Sequence, residues 1–140
     1  ICNAAESDTD ALQWVKYFYQ KIGMHLIEME AKAHDLHAAY ISHISHITSF
    51  ALANTVLEKE KEENAIFELA SAGFESTVRL AKSSPEMWVP IFLQNKEHVL
   101  DVLNEHIGQL EKFRDVIQNE NRNELKNIIS NANTIRRIIK

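Results

Sequence analysis

The residues best suited to chemistry are polar side chains set inside apolar stretches. Ser42, His43 and His46 lie in a segment that is otherwise largely apolar, and Arg79 and Trp88 follow further along the chain. A guanidinium binds a carboxylate through a planar fork of charge-assisted hydrogen bonds, which a lysine cannot reproduce. An imidazole or a hydroxyl can donate to a further anionic or keto oxygen. The set therefore suits a small, doubly negative ligand.

A metal site is the second interpretation of these histidines. His34, His37, His43 and His46 crowd one predicted helix. At about 100° per residue, the first two and the last two lie roughly 120° to 180° apart around the helix axis, so one helix cannot bring all four to one ion. No spacing in the chain matches a zinc signature. The geometry disfavours a metal, and a site of two histidines with a carboxylate from elsewhere stays open.

A polar line on the same helix favours a buried site or a buried network. On an ideal helical wheel Asp35, Ser42 and His46 fall within roughly 40° of one another. Burying such groups without partners costs about 1–3 kcal/mol each, so they should meet a ligand, water or one another. The residues alone do not decide between these two interpretations.

The composition predicts a mainly helical protein. The chain has 140 residues, 45% of them hydrophobic, but only three Gly and two Pro. So few turn-forming residues favour long helices. Apolar spacing predicts helices over 31–57, 65–72, 74–81, 99–117 and 125–139. Ser83 or Ser84 should cap a further helix, with a bend near Val89 because Pro90 lacks a backbone donor.

Charge and sequence pattern limit the partners and the compartment. The net charge of −5 leaves no broad basic surface, so nucleic-acid binding is not expected. No apolar run approaches the roughly 20 residues of a membrane span, and no signal peptide is evident. Cys2 stands alone, which fits a reducing compartment. We predict a cytoplasmic protein with no membrane or nucleic-acid partner.

The first 29 residues differ from the rest. Asp8 should cap a helix that ends at Gly23, and the apolar segment 25–29 is predicted to be a strand. Because a lone strand is not stable, we interpret 1–29 as the last helix and strand of a sheet domain, followed by an all-helical domain over 30–140. The 31–57 helix is apolar on most sides, and the last helix carries an apolar stripe. Such faces are usually covered by neighbours or by a second subunit, so a homodimer is predicted.

These motifs resemble the C-terminal half of prephenate dehydrogenases. That family typically shows a His-Asp pair, a Ser-His-Leu-Pro-His motif, and an Arg that precedes an Asp-Pro-x-Met-Trp segment. The matching residues are His34, Asp35, Ser42, His43, His46, Arg79, Pro85, Met87 and Trp88. The chain departs from the pattern at Ser45, where Pro is usual, and at Ser84, where Asp is usual.

The resemblance implies a helical substrate-binding and dimerisation domain over 30–140, preceded by a short αβ remnant of a Rossmann-type nucleotide-binding domain over 1–29. It implies that His46 and Arg79 bind prephenate or arogenate, that Ser42 or His43 orients His46, and that Trp88 walls the pocket. The parent enzyme would decarboxylate prephenate oxidatively to 4-hydroxyphenylpyruvate in tyrosine biosynthesis, using NAD or NADP.

The same resemblance limits what this chain can do alone. The catalytic base of the family is a histidine in the nucleotide-binding domain, which also carries the Gly-rich phosphate loop. No Gly-x-Gly-x-x-Gly occurs here, so no catalytic or cofactor-binding residue is assigned and the chain alone is expected to be inactive. In some relatives an acidic residue three positions before the Arg joins an ionic gate, and Ser76 stands there in this chain.

Two alternatives remain from the residues. Arg79 could form a structural ion pair with Glu75 or Glu86, and the whole chain could be a non-catalytic helical protein-interaction module.

Overall fold

The computed structural model describes residues 1–63 and 65–139. Within them the chain is helical, as predicted. The α-helices are α1 (Thr9–Lys21), α2 (Ala31–Ala38), α3 (Ile44–Glu60), α4 (Ala72–Val78), α5 (Pro85–Gln94), α6 (Lys96–Gln118) and α7 (Arg122–Ala132). Short 3-10 helices cover Ala4–Glu6, Phe67–Leu69, Arg79–Lys82 and Asn133–Arg137, and a π-helical turn covers Ala39–His43.

The N-terminal helix begins and ends as predicted. Asp8 accepts a hydrogen bond from the Ala11 amide at 2.9 Å, which caps α1. Gly23 has a φ of 81°, a left-handed conformation that glycine adopts without a steric penalty. The helix therefore stops where the sequence supplies a residue that can reverse the backbone.

The strand predicted over 25–29 does not form, and the αβ remnant is not supported. The described residues contain only one parallel β-bridge, between Cys2 and Met29. It is made by hydrogen bonds from the Asn3 amide to the Met29 carbonyl and from the Met29 amide to the Ile1 carbonyl. Two paired extended segments without further strands are at best marginally stable, and among the described residues no third segment pairs with these two.

The predicted 31–57 helix contains an interruption. The π-turn Ala39–His43 separates α2 from α3, and the Ile44 amide bonds to the Ala39 carbonyl five residues back instead of four. A π-turn inserts one extra residue into the helical spiral and often lies at a functional site. It changes which side chains of α2 share a face with those of α3.

Several predicted helix limits were wrong. The 65–72 segment has only the 3-10 turn Phe67–Leu69, and α7 ends at Ala132, followed by a 3-10 turn. Pro90 lies inside α5 without breaking it, since one lost hydrogen bond is tolerable, and the break comes at Asn95. Ser84 is the N-cap of α5, but its hydroxyl bonds to the Glu86 carboxylate instead of capping the backbone.

The chain divides into two compact units, 1–99 and 100–140. The domain boundary predicted at residue 30 stays a prediction. In the first unit the core includes Ala39, His43, Ser49 and Trp88. Many large apolar side chains lie on the surface, among them Ile41 and Leu93, which are 77% and 67% exposed. None of the described helices is both long and apolar enough to cross a lipid bilayer.

Ser49 ties α3 to the turn that follows α4. Its side chain, almost fully buried, donates to the Thr77 carbonyl at 3.0 Å and accepts from the Ala81 amide at 3.0 Å. Both backbone groups lie within two residues of Arg79. A single hydroxyl therefore holds the segment that carries this arginine against α3.

We expect Ser49→Ala to lower the free energy of unfolding by about 1–3 kcal/mol, because it removes a buried hydroxyl that bonds to a part-buried backbone carbonyl and amide. Urea denaturation measures the change. Thr55→Ala is the matched control: Thr55 is exposed on the same helix and donates only to the Ala51 carbonyl one turn back. Equal losses for the two variants would show that Ser49 is not an anchor.

Candidate functional site

Two histidines of the predicted motif meet one tryptophan. His46 stacks on Trp88, with ring centroids 3.5 Å apart and an interplanar angle of 28°. His43 presents its ring edge-on to the same indole at 6.1 Å and to Phe92 at 6.3 Å. The π-turn and the start of α3 supply the histidines, while α5 supplies both aromatic residues. The sequence motif thus closes into one cluster, which we call the imidazole–indole cluster: His43, His46, Trp88 and Phe92.

The contact of His46 with Ser42 fixes one of its protons. His46 Nδ1 lies 3.0 Å from the Ser42 carbonyl oxygen. A carbonyl oxygen only accepts hydrogen bonds, so Nδ1 carries the hydrogen. The other nitrogen, Nε2, accepts when the ring is neutral and donates when it is protonated. The Ser42 backbone carbonyl therefore fixes the orientation of the His46 ring. The substrate-binding roles of Ser42, His43 and His46 stay predictions.

Trp88 carries a buried donor. The side chain is 7% exposed, and its Nε1–H has no hydrogen-bond partner within residues 1–63 and 65–139. Buried indole N–H groups usually have a hydrogen-bond partner, because leaving a buried donor without a hydrogen bond costs free energy. Within the described residues this donor is therefore both buried and unpaired.

His43 is held by a residue that sequence reasoning did not single out. The Asn95 amide nitrogen lies 2.7 Å from the Asp35 carbonyl and 3.3 Å from His43 Nδ1. Asn95 ends α5, and nothing in the spacing of its neighbours marked it as a partner for residues sixty and fifty-two positions earlier.

The environment disfavours a charged His43. Burial lowers its pKa from 6.5, and the nearby His46 lowers it further, whereas Asp35 opposes the shift and His34 adds to it. A solvent-poor position costs an imidazolium its hydration, which accounts for the direction. His43 is therefore kept in the neutral form.

Asp35 does not continue a line with Ser42 and His46. It lines a cleft of about 340 Å³ with His34, Ala38, His43, Ile91, Gln94 and Asn95. The predicted line assumed an uninterrupted α-helix, and the π-turn between Asp35 and His43 changes the register. His34 and Asp35 also contact each other, Nδ1 to Oδ1, at 3.1 Å.

Arg79 lies on the 3-10 turn after α4 and is exposed. The structural alternative required an ion pair of Arg79 with Glu75 or Glu86. Among the described residues neither ion pair forms. Glu86 is engaged by the Ser84 hydroxyl, which lowers the pKa of that carboxyl group. Within the described part of the chain, no hydrogen bond or cation–π contact joins Arg79 to the imidazole–indole cluster. Its guanidinium is free of intramolecular carboxylates there.

An apolar pocket of about 380 Å³ adjoins Trp88. Its lining is mostly apolar and consists of Phe50, Ala81, Ser83, Pro85, Trp88, Val89 and Phe92. Ala81 and Ser83 come from the segment just after Arg79. The pocket could take a six-membered ring, with cationic and donor groups carried by the elements that form it. Among the residues described, no group of three His, Cys, Asp or Glu side chains is arranged to hold a metal ion.

The described residues thus form a helical domain with a buried cluster of aromatic rings between α3 and α5. The family model that matches residues 30–131 is that of prephenate dehydrogenase, dimerization domain. The chain belongs to this family.

Individual relatives agree with the family model. The chain is 31% identical over 115 residues to a prephenate dehydrogenase of Bacillus subtilis, covering 82% of this chain and 31% of that protein. It is 31% identical over 117 residues to a cyclohexadienyl dehydrogenase of Zymomonas mobilis, covering 83% and 40% respectively. The chain thus spans less than half the length of these relatives.

Solved structures show the same fold. Prephenate dehydrogenase from Aquifex aeolicus, in complex with hydroxyphenyl propionate and NAD+, superposes with a TM-score of 0.86 at 30% identity. The match covers 96% of this chain and 47% of that one. Arogenate dehydrogenase from Synechocystis has a TM-score of 0.78 at 23% identity, covering 95% of this chain and 49% of that one, which shows the fold alone.

The lowered pKa of His43 predicts a pH-dependent stability. In the unfolded chain the imidazole takes up a proton near its ordinary pKa of 6.5, whereas the folded chain resists this until lower pH. The unfolded state then binds more protons, so stability falls as the pH drops below about 6.5. We expect His43→Gln to lessen this fall, measured by urea denaturation across the pH range.

The control is His25→Gln, which removes an exposed histidine of the same unit. A pH profile that His43→Gln leaves unchanged would mean that His43 is not the buried neutral group.

Proposed function

We propose that the chain is the substrate-binding and dimerisation half of an NAD- or NADP-dependent prephenate dehydrogenase. The observation that carries the proposal is the imidazole–indole cluster, in which His46 stacks on Trp88 beside an indole N–H that lacks a partner within the described residues. Membership of the family supports it, as does the Aquifex aeolicus relative, whose structure holds hydroxyphenyl propionate and NAD+.

The proposed substrate explains the chemistry of the cluster. Prephenate carries two carboxylates, a ring hydroxyl and a keto side chain on a six-membered ring. The apolar pocket beside Trp88 takes the ring, and excluding water there strengthens each polar contact. His46 can donate to an anionic oxygen when its Nε2 carries a hydrogen, and its ring lies against the indole of Trp88.

Arg79 is the proposed carboxylate clamp. It is exposed and paired with neither nearby glutamate within the described chain, so its fork is available to a ligand. Ser49 fixes the backbone on both sides of it. Two parallel hydrogen bonds to one carboxylate would set the orientation of the ring as well as hold it.

The reaction is oxidative decarboxylation of prephenate to 4-hydroxyphenylpyruvate, the step toward tyrosine. The nicotinamide cofactor supplies the hydride acceptor, and a base takes the proton of the ring hydroxyl as the ring carboxylate leaves as carbon dioxide. This chain holds no Gly-rich phosphate loop, so the residues described here do not fit the cofactor. Its part is to bind and orient the substrate.

The proposed assembly is a homodimer in the cytoplasm. Exposed apolar side chains such as Ile41, Leu93 and Leu69 need cover, and a second copy of a dimerisation domain can provide it. Prephenate and arogenate both remain candidates, because a dehydrogenase of either kind shares this fold.

We expect Arg79→Lys in the full-length enzyme to raise KM for prephenate roughly 10- to 100-fold, because a lysine keeps the charge but loses the paired hydrogen bonds. Steady-state kinetics measure this, and circular dichroism checks that the fold is intact. Lys82→Ala removes a neighbouring exposed cation from the same 3-10 turn and should leave KM near the wild-type value.

The interaction-module alternative predicts a different result. If Arg79→Lys leaves KM unchanged while the fold is intact, the proposed substrate clamp is wrong.

The 140-residue chain alone should show no prephenate-dependent reduction of NAD and no tight dinucleotide binding, since it lacks the phosphate loop. Absorbance at the reduced-nicotinamide band and calorimetry with NAD measure the two properties. Turnover above the background rate would contradict the proposal that this chain binds the substrate but does not hold the cofactor.

A further inference from the structure

We propose that Asn95 is a positioning residue that fixes His43 as the Nε2–H tautomer. The residue bridges two helical segments: its amide nitrogen contacts the carbonyl oxygen of Asp35 and the Nδ1 atom of His43. The functional meaning of this bridge rests on the proposed substrate site. The bridge itself is a property of the chain.

The orientation of the Asn95 amide follows from its shorter contact. The atom 2.7 Å from the Asp35 carbonyl must be a donor, because a carbonyl oxygen only accepts. It is therefore the amide nitrogen and not the amide oxygen. The same NH2 group has a second hydrogen, and His43 Nδ1 lies 3.3 Å away. The Asp35 carbonyl of α2 thus determines which end of the Asn95 side-chain amide is the nitrogen.

The tautomer of His43 follows from the amide. A donor aimed at Nδ1 requires that nitrogen to be an unprotonated acceptor. A neutral imidazole with a bare Nδ1 carries its hydrogen on Nε2, at the edge of the ring away from Asn95. In histidines generally, the hydrogen bond made by one ring nitrogen sets the protonation of the other.

The charged groups around His43 agree with a neutral ring. From α3 it faces His46, and from α2 it faces His34 and Asp35. From α5 it faces the uncharged rings of Trp88 and Phe92. Burial and His46 lower the pKa of His43 more than Asp35 raises it. Protonation at Nδ1 would also set a hydrogen against the Asn95 NH2 group.

The two histidines of the cluster therefore carry their hydrogens on different ring nitrogens. Ser42 holds the hydrogen of His46 on Nδ1, so its Nε2 donates only after protonation. Asn95 holds the hydrogen of His43 on Nε2, so that nitrogen donates while the ring is neutral. In the proposed site a neutral His43 therefore offers a donor at Nε2, whereas the Nε2 of a neutral His46 offers an acceptor. Prephenate can use both, since its carboxylate and keto oxygens accept hydrogen bonds and its ring hydroxyl donates one.

The direct test measures the tautomer in the whole chain. With 15N-labelled histidine, long-range 1H–15N NMR spectra at neutral pH distinguish the two ring nitrogens. We expect the Nε2–H pattern for His43 and the Nδ1–H pattern for His46. An Nδ1–H pattern for His43, or equal populations of its two tautomers, would overturn the proposal without any variant being made.

Variants then test whether Asn95 is the cause. Asn95→Asp places an acceptor opposite Nδ1, so the His43 hydrogen should move to Nδ1 and the pKa of His43 should rise. Asn95→Leu removes the donor, so the preference for Nε2–H should be lost. Asn119→Asp is the control, since Asn119 likewise donates to a backbone carbonyl, that of Asp115, but in the other unit. An unchanged His43 spectrum in a folded Asn95→Leu variant would show that Asn95 does not set the tautomer.

Kinetics separate this inference from the proposed function. In the full-length enzyme Asn95→Leu should raise KM for prephenate about three- to tenfold, the effect of losing one hydrogen bond. If Arg79→Lys raises KM but Asn95→Leu does not, despite the loss of the tautomer preference, the positioning role is wrong and the substrate site stands. If neither variant changes KM while the NMR result holds, the substrate site is wrong and the tautomer assignment stands.

Discussion

The stacking of His46 on Trp88 is the contact on which the rest of the candidate site depends. It joins α3 to α5 through two flat rings 3.5 Å apart, and it places His43 edge-on to the same indole. Burying polar rings in this way is costly unless their nitrogens find partners. The Ser42 carbonyl and the Asn95 amide meet that demand at one nitrogen of each histidine. Among the buried side-chain nitrogens and oxygens of the described residues, the indole nitrogen is the one without a partner.

A second constraint fixes the backbone around Arg79. The turn that carries it has little regular structure, and a surface turn of this kind is ordinarily mobile. Ser49 removes that freedom by binding the backbone two residues before and two residues after the arginine. The side chain stays exposed while its base is anchored in the core. A rigid base and a free guanidinium are what a site needs if it is to receive a carboxylate with little loss of entropy.

Much of the fold could be predicted from the sequence, because scarce glycine and proline and helical apolar spacing leave few other choices. The Asp8 cap and the Gly23 stop were predicted because each depends on one residue type. The π-turn was not, since Ala39–His43 contains nothing that forbids an ordinary helix. Asn95 was not, because its partners are brought to it by tertiary packing alone. The motif residues were identified from the sequence. The prediction that Asp35 shares a helix face with Ser42 and His46 was wrong, because the π-turn changes the helical register between them.

The extra residue in the π-turn has a consequence for how the chain tolerates change. Conservative replacements along Ala39–His43 would leave the backbone path intact. Closing this turn into an ordinary α-helix with the same number of residues would rotate everything before it by about 100° relative to His46. The Asp35 carbonyl would then swing away from Asn95, although no contacting side chain had been altered. Deleting one residue would close the turn without that rotation, because the π-turn holds one extra residue. The wider turn, and not the identity of its residues, therefore sets the position of the Asp35 carbonyl.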